Sequence, residues 1–199
     1  MTIFVPDIYS HRRRRRDYIN IVNNRPKGNG LKYPTMIQIR KGQLSDLDDI
    51  IACYSHARQF MRDSGNPNQW VNGYPSREIA AADISAGNNY VGVDSDGDIV
   101  MTFAFIIGPD PTYRVITDGE WLNNLPYGTI HRIASNGKYH GMMQCCVEFC
   151  SRLIDNIRLD THERNIPMQR AAERLGFVRC GTIICANGTP RIAYQRSRQ

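Results

Sequence analysis

A glycine-containing turn between a strand and a helix is the feature of this sequence best suited to hold an anion. The turn reads Asn136-Gly-Lys-Tyr-His-Gly141 and joins an apolar run that ends at Ser135 to a helical pattern that begins at Met142. The first backbone N–H groups of a helix have no partner within it and lie at its positive end. The turn therefore predicts a phosphate site, with glycine needed for packing alone as the other interpretation.

The elements on either side of this turn must position it. We predict strands over 36–40, 90–93, 99–107, 129–135, 157–161, 177–185 and 191–195 from their apolar, β-rich composition. Helical spacing of apolar residues predicts helices that begin near residue 45 and over 76–84, 142–156 and 165–175. The order β-α-α-β-β-β-α-β-α-β-β predicts an α/β fold (α+β mixed), with a mixed, mostly antiparallel sheet of about seven strands flanked by about four helices.

Polar residues mark where three of these helices begin. Ser45-Asp-Leu-Asp48 resembles a capping box, and Ser76 is the expected cap of the second helix. Asn165 is the expected cap of the last helix, with Pro167 in its first turn and Gly176 at its end. These positions fix where the helical segments join the strands.

The positive charge of the chain is concentrated near its beginning. The formal net charge is +6, and Arg12 to Arg16 form an unbroken run of arginines. Such a run either binds nucleic-acid phosphates through counterion release or belongs to a basic extension without a specific partner. We favour a basic, flexible N-terminal extension over 1–35, without nucleic acid as a partner, before a domain over 36–199. Met36 is the real or an alternative start in this interpretation.

Composition predicts a cytoplasmic protein with no membrane partner. No run approaches the roughly 20 apolar residues of a membrane span, and the first residues lack a secretory pattern. The 6 cysteines contain no C-x-x-C pair and lie mostly in apolar periodic segments, which favours buried thiols. Cys146 and Cys150 lie one helical turn apart, but no second ligand pair has zinc-like spacing, so we expect no metal.

The sequence resembles the GNAT superfamily of N-acetyltransferases over about residues 36–196. The match is closest from His131-Arg-Ile-Ala-Ser135 through Gly176-Phe177. The family's pyrophosphate loop, Gln/Arg-x-x-Gly-x-Gly/Ala, aligns with Lys138-Tyr-His-Gly141-Met-Met143, which keeps the central glycine and ends on a bulky residue. Asn165-x-x-Met168, followed seven positions later by Gly176-Phe177, is similar to the family's Asn-x-x-Ala…Gly-Phe helix.

The resemblance implies acetyl-CoA as the acetyl donor and a place for it. It implies that the fourth and fifth strands splay apart and that the pantetheine pairs with the freed edge like an extra strand. Met143 narrows the approach of the phosphates or displaces them. The implied cofactor-binding residues are Ile133, Ala134, Ser135, Lys138, His140, Gly141, Met142, Met143 and Asn165.

The resemblance also implies where the chemistry occurs. Attack of a neutral amine on a thioester needs a base and donors for the developing oxyanion, and the family often places the base on the fourth strand. Strand alternation puts Tyr127, Thr129 and His131 on one face there, which makes His131 and Tyr127 the catalytic candidates. A packed, hydrogen-bonded histidine and a loop-packing tyrosine are the alternatives. The family's tyrosine acid falls on Ala172, so Tyr127, Tyr139 or water takes its place, or the thiolate leaves without an acid.

The amine pocket is expected in two loops. Gln69 and Trp70 lie in one loop and Trp121 in the other. An equally good interpretation of both tryptophans is that they cover the hydrophobic core. Asp160, His162 and Glu163, at the end of the fifth strand, are near enough in sequence to line the cleft, although solvated strand-end residues are the commoner case.

These residues predict an acetyl-CoA-dependent N-acetyltransferase that acts by direct attack of a primary amine of a small molecule or peptide. A non-catalytic acyl-CoA-binding protein and nucleic-acid binding through Arg12 to Arg16 are the alternatives. A homodimer is left open.

Overall fold

A seven-stranded sheet runs through residues 36–198, the part of the chain that the computed structural model describes. The basic run Arg12 to Arg16 lies outside these residues. The strands are β1 (Gln38–Lys41), β2 (Asn89–Val93), β3 (Ile99–Ile107), β4 (Gly128–Ser135), β5 (Asn156–Thr161), β6 (Val178–Ile184) and β7 (Pro190–Ser197). The helices are α1 (Leu47–Asp63), α2 (Arg77–Ser85), α3 (Met142–Cys150) and α4 (Ile166–Arg174). The predicted fold class and order of strands and α-helices are confirmed.

The sheet is antiparallel except at one junction. Its strand order is β1-β2-β3-β4-β5-β7-β6, and β4 pairs with β5 in parallel. That pairing has only two register positions, Gly128 with Ile157 and Thr129 with Arg158. Beyond Thr129 the two strands separate, which confirms the predicted splay and leaves one edge of β4 open.

A bulge bends β4 just after the splay begins. Arg132 and Ile133 together lie opposite Phe103 of β3, and Arg132 has a positive φ of 53°. The Arg132 guanidinium donates to both carboxylate oxygens of Asp83 on α2, at 2.8 and 2.7 Å. This paired contact from outside the strand stabilises a backbone conformation that a non-glycine residue rarely adopts.

The helix caps predicted from the sequence are confirmed at two of three positions. Ser76 accepts from the Ile79 N–H, and Asn165 accepts from the Met168 N–H, as predicted. The capping box expected at Ser45 is instead formed by Gln43 and Asp46, around a short 3₁₀ turn that precedes α1. Asp46 is also bound by Arg40, so one carboxylate joins the end of β1 to the start of this helical segment.

Helix α3 ends six residues before the predicted boundary. It stops at Cys150, and the Leu153 and Ile154 N–H groups both donate to the Cys150 carbonyl in the turn that follows. Ile154 still packs against the main core from this turn, so its apolar character continued the helical pattern past the true end. The early stop lets the chain reverse into β5 at Asn156.

Packed elements cover both faces of the sheet. Helices α3 and α4 cover one face with the main hydrophobic cluster, which contains Cys145, Cys146 and Cys150 as free thiols. On the other face α1 and α2 pack over β2 and β4, and the segment 108–127 packs over β6 and β7. None of the helices in 36–198 combines the length and apolar character that crossing a bilayer requires.

The irregular segment 108–127 is fixed to the sheet by a close backbone approach. Thr117 pairs with Thr182 of β6 as an isolated antiparallel bridge. A Cβ atom at Gly181 would lie 2.5 Å from the Thr117 carbonyl oxygen, and Gly181 has a φ of 155°. Only glycine fits there without displacing the segment, which also carries residues of the site described below.

Candidate active site

A cavity of about 1010 Å³ opens where β4 and β5 separate. Its wall includes the continuous β4 run from Ile130 to Ser135, the turn that follows and the start of α3. Side chains from α1, the α1–α2 loop, the segment 108–127, the carboxyl end of β5, α4 and the turn before β7 also line it. A cavity of this size has room for a long cofactor arm together with a small acceptor.

The open edge of β4 supplies backbone groups to this cavity. No strand of the described chain pairs with this edge between Ile130 and Ser135, since the β5 pairing ends at Thr129. His56 Nδ1 lies 3.0 Å from the Ser135 carbonyl oxygen and donates to it. A Cβ atom at Gly137 would lie 2.5 Å from His56 Nε2, and the φ of 79° at Gly137 also requires glycine. The first glycine of the turn therefore makes room for this histidine.

The start of α3 presents unpaired N–H groups to the same cavity. Gly141 is the N-cap residue with a φ of 82°, and no side chain of residues 36–198 caps the helix. His140, Gly141, Met142 and Met143, all predicted to bind the cofactor, line the cavity together with Ile133, Ala134 and Ser135. An uncapped helix start in a cavity wall can bind an anion through backbone donors and the helix dipole.

Lys138 is the predicted cofactor residue that does not line the cavity. Its ammonium lies 2.7 Å from Asp94 and 2.8 Å from Asp98, in the turn between β2 and β3. Hydrogen bonds to these carboxylates, Asp94 first, raise the lysine pKa. Tyr139 donates to Asp94 as well, at 3.1 Å. The lysine therefore ties the turn to a neighbouring hairpin.

Asn165 and Gln69, predicted to bind cofactor and substrate respectively, contact each other in the cavity wall. Gln69 Oε1 accepts from Asn165 Nδ2 at 2.8 Å and from Asn66 Nδ2 at 2.9 Å. Trp70 lines the cavity and packs edge-on against Tyr54, with ring centroids 5.7 Å apart. The α1–α2 loop is thus joined to α4 through the side chain of Gln69.

His131 lines the cavity beside a buried carboxylate. His131 Nε2 lies 2.8 Å from Asp110 Oδ2. The other Asp110 oxygen accepts from the Thr112 N–H at 2.8 Å and from the Thr112 hydroxyl at 2.7 Å. Burial acts to raise the pKa of Asp110, but the hydrogen bonds from His131 and Thr112 hold this pKa well below its ordinary value. Asp110 is therefore an ionised acceptor for the imidazole.

Comparison with known proteins identifies the family of this chain. No family model and no curated protein matches it. A GNAT-family acetyltransferase from Streptococcus agalactiae 2603 is 31% identical with a TM-score of 0.74, over 85% of this chain and 99% of that chain. The chain belongs to the GNAT acetyltransferase family.

More distant solved structures share the fold of this acetyltransferase. A GNAT-family acetyltransferase from Listeria monocytogenes 4b F2365 is 20% identical with a TM-score of 0.62, over 88% of this chain and 100% of that chain. The ribosomal-protein-S5-alanine acetyltransferase from Vibrio fischeri is 17% identical with a TM-score of 0.50, over 81% and 92% of the two chains. At under 25% identity these two likenesses concern the fold alone.

The cavity of this acetyltransferase fits acetyl-CoA, the usual donor of the family. The open β4 edge offers backbone groups to pair with an extended arm, and the start of α3 offers N–H groups to a pyrophosphate. Met143 lines the cavity at the position where the family has a small residue. Ala172, at the position of the family's tyrosine, is fully buried in the core.

A tyrosine and a second carboxylate extend the site from His131 toward β5. The Tyr113 hydroxyl donates to Asp160 Oδ1 at 2.7 Å, and the Tyr113 ring centroid lies 6.0 Å from that of His131. Burial and then the charge of Asp160 raise the pKa of Tyr113. Asp160 lines the cavity, as its place at the end of β5 predicted. His162 and Glu163 are not among the lining residues.

Tyr127 and Trp121 hold a buried arginine between their rings. The Arg158 guanidinium carbon lies 3.9 Å from each ring centroid. The Tyr127 hydroxyl accepts from the Asp110 N–H, and the Trp121 indole N–H donates to the Tyr113 carbonyl. Neither residue lines the cavity. Their predicted roles in catalysis and substrate binding stay predictions, and in this structure both make the packing contacts of the alternative interpretation.

Asp110 and Tyr113 were not predicted from the sequence because they lie in the irregular segment 108–127. The local signal was Asp110-Pro-Thr112, since Asp110 caps the short 3₁₀ turn Pro111–Tyr113 through its contact with the Thr112 N–H. Aspartate before proline is typical of such a turn. Pairing with His131 on β4, 21 positions away, has no local signal.

Proposed function

We propose that this protein transfers the acetyl group of acetyl-CoA to a primary amine of a small molecule or peptide by direct attack, with His131 as the general base. The observation that carries this proposal is the contact of 2.8 Å between His131 Nε2 and Asp110 Oδ2, in the wall of a cavity that also contains the open β4 edge. The proposed proton acceptor and the groups that would bind the cofactor thus line the same cavity.

Backbone groups would hold the cofactor. The β4 edge from Ile133 to Ser135 would bind the pantetheine arm, and the N–H groups of Met142 and Met143 would bind the pyrophosphate. When bound, acetyl-CoA supplies an acetyl group activated as a thioester. N–H groups along the same β4 edge are the donors nearest in the chain for the oxyanion that forms during attack.

Asp110 fixes the proton arrangement of His131. Its ionised carboxylate accepts from Nε2–H, which leaves Nδ1 with the lone pair that can take a proton from the attacking amine. The carboxylate then stabilises the positive imidazolium. General base catalysis of this kind contributes roughly 100- to 10,000-fold in rate.

No dedicated acid is needed for the leaving group in this proposal. Ala172 cannot donate a proton, and the Tyr139 hydroxyl is bound to Asp94, with its pKa raised by burial and by this carboxylate. An ordinary thiol has a pKa of about 8.5, so its thiolate leaves without full protonation at neutral pH. Water can return the proton afterwards.

The test measures thiol release from acetyl-CoA with a broad panel of primary amines, together with mass spectrometry of the N-acetyl products. The proposal expects release that depends on both substrates and a product heavier by one acetyl group. Calorimetric binding of acetyl-CoA without any release across the panel would favour the alternative of a non-catalytic acyl-CoA-binding protein. Absence of acetyl-CoA binding would contradict both.

A further inference from the structure

Arg191 is a buried arginine in the cavity wall. Only 6% of the residue is exposed, and it lines the cavity at the start of β7. No carboxylate of residues 36–198 lies within ion-pair distance of its guanidinium. Buried charges are normally paired, because removing a charge from water without compensation is costly. This side chain therefore keeps an unneutralised positive charge at a ligand-sized cavity.

The contacts of Arg191 fix its position without neutralising it. Its Nη1 donates to the Thr189 hydroxyl at 2.8 Å and to the Pro190 carbonyl at 2.9 Å, and its Nη2 lies 3.5 Å from the Gln69 carbonyl oxygen. All three acceptors are neutral. The guanidinium is thus oriented by the loop before β7 and by the α1–α2 loop, with donor capacity remaining on Nη2 and Nε.

Two other arginines, the half-buried Arg132 and the buried Arg158, show how such a charge is otherwise compensated. Arg132, also in the cavity wall, forms a paired contact with Asp83. Arg158 has no carboxylate partner among residues 36–198 but lies between two aromatic rings, outside the cavity. Arg191 has neither kind of partner among the described residues. It is therefore the cavity arginine that is prepared for an anion from outside the chain.

Sheet register places Arg191 on the same face as the catalytic candidates. Asp160 of β5 lies opposite Ala193 of β7, and Arg191 is two positions from Ala193 on the same side of that strand. Diagonal neighbours of this kind lie about 7–8 Å apart. Tyr113 joins Asp160 to the surroundings of His131. One face of three successive strands thus carries, in order, a base, a carboxylate and an unpaired guanidinium.

We propose that the acetyl acceptor is an amine that also bears a carboxylate, with the carboxylate bound by Arg191 and the amine near His131 and Asp160. This inference rests on the proposed function and names its substrate class. A guanidinium binds a carboxylate through two parallel hydrogen bonds. Asp110 and Asp160 place two negative charges in the same cavity, which favours a carboxylate with one charge over a doubly charged phosphate. Free amino acids have the required arrangement.

The test compares each L-amino acid of a panel with its own amide, which keeps the amine and side chain but lacks the carboxylate. Thiol release with wild type, Arg191→Gln and Arg191→Lys gives kcat/KM for each member of a pair. We expect Arg191→Gln to lower kcat/KM for the preferred amino acid about 10- to 100-fold and to change the value for its amide by less than about threefold. Arg191→Lys should retain part of the difference, and Arg179→Gln, the same charge change on an exposed strand residue, should retain all of it.

A binding measurement separates this inference from the proposed function. Calorimetric titration of N-acetyl-L-amino acids and their amides into the CoA-saturated protein requires no turnover. We expect the acid of the preferred pair to bind at least tenfold more tightly than the amide in wild type and equally in Arg191→Gln. A panel without thiol release but with this binding difference would reject the proposed reaction and keep the carboxylate site. Equal affinities of the wild type for acid and amide, or no binding of either, would overturn the inference.

Thermal unfolding decides whether a loss has another cause. If Arg191→Gln unfolds at a much lower temperature than wild type, Arg191→Lys becomes the deciding variant, because it keeps the charge but cannot form the paired contact. A lowered acid-to-amide ratio in folded Arg191→Lys then supports the inference. An unchanged ratio overturns it.

Discussion

The two halves of the cleft are made of different chemical groups. The backbone half, formed by the open edge of β4 and the start of α3, offers mainly backbone N–H and C=O groups. Its shape depends on the open strand edge and on glycines with positive φ. The other half, the charged half, offers ionisable side chains: His131 of β4 with Asp110 of the segment 108–127, then Asp160 at the end of β5 and Arg191 at the start of β7. Backbone groups are present whatever the side chain, whereas each charge depends on one residue.

This difference predicts which departures from the family pattern should affect function. The first half has Lys138 and Met143 in place of the family residues, and Lys138 does not line the cavity at all. The helix start and the strand edge remain intact despite both changes. Replacement of one side chain in the charged half should instead remove the proton transfer or the binding contact that this side chain provides. The predictions below test this contrast.

The largest effect is expected at His131. His131→Gln keeps a polar side chain of similar size but cannot accept the amine proton, so kcat should fall roughly 100- to 10,000-fold. Thiol release at saturating acetyl-CoA measures this loss, and calorimetry should give an unchanged affinity for acetyl-CoA. A variant with normal turnover would remove His131 from the chemistry.

Asp110→Asn should have the next largest effect. The amide keeps the shape of the carboxylate but neither stabilises the imidazolium nor fixes the Nε2–H form, so kcat should fall about 10- to 100-fold. The pH profile of kcat should also change, which loss of packing alone would not cause. Thr112→Val, which removes only a hydroxyl contact to the same carboxylate, is the matched control and should lower kcat less than Asp110→Asn.

Gly141→Val tests the backbone half. A β-branched residue is strained at a φ of 82°, so the start of α3 should shift and the KM for acetyl-CoA should rise about tenfold. The ratio of kcat/KM values between two acceptors should stay constant, because the charged side chains are unaffected. A change in acceptor preference without a change in KM for acetyl-CoA would reverse the assignment of the two halves.

Acid stability should report the same Asp110 contact. The pKa of Asp110 is lowered in the folded protein, so its carboxylate stabilises the fold. This contribution to the free energy of unfolding is fully present above the unfolded pKa of about 3.9 and is lost as the pH falls further. Urea unfolding between pH 7 and pH 3 should show a shallower loss for Asp110→Asn than for wild type, by about 1 kcal/mol. An identical loss of unfolding free energy in the two proteins would mean that His131 and Thr112 do not stabilise the Asp110 carboxylate.

The smallest effect is expected at Lys138. Because its ammonium lies between Asp94 and Asp98, Lys138→Gln should change the KM for acetyl-CoA by less than about threefold. The steady-state KM measures this directly. A tenfold rise would show that the lysine leaves the hairpin to bind the phosphates.

Local patterns in the sequence were enough for the order of elements and for the start of α3 in the backbone half. Alternation and helical spacing gave the order of elements, and the glycine before Met142 marked the uncapped helix start. The splay came from the family resemblance, because no local pattern shows where two strands separate. The boundary of α3 was wrong because Ile154 packs on the core from a turn.

The charged half could be predicted only in part. His131 and Asp160 lie on regular strands, where the sequence could predict that they line the cleft, but Asp110 lies in an irregular segment whose path depends on a bridge to β6. Arg191 was missed as a site residue because its importance lies in the absence of a counter-charge among residues 36–198. Such an absence depends on the whole cavity wall.

A crystal structure with acetyl-CoA bound tests the division of the cleft most directly. We predict that the pyrophosphate contacts the N–H groups at the start of α3, that the pantetheine follows Ile133 to Ser135, and that the acetyl group lies beside His131. A cofactor bound through Lys138 outside the cavity, or an acetyl group on the side of the sheet covered by α3 and α4, would contradict this account.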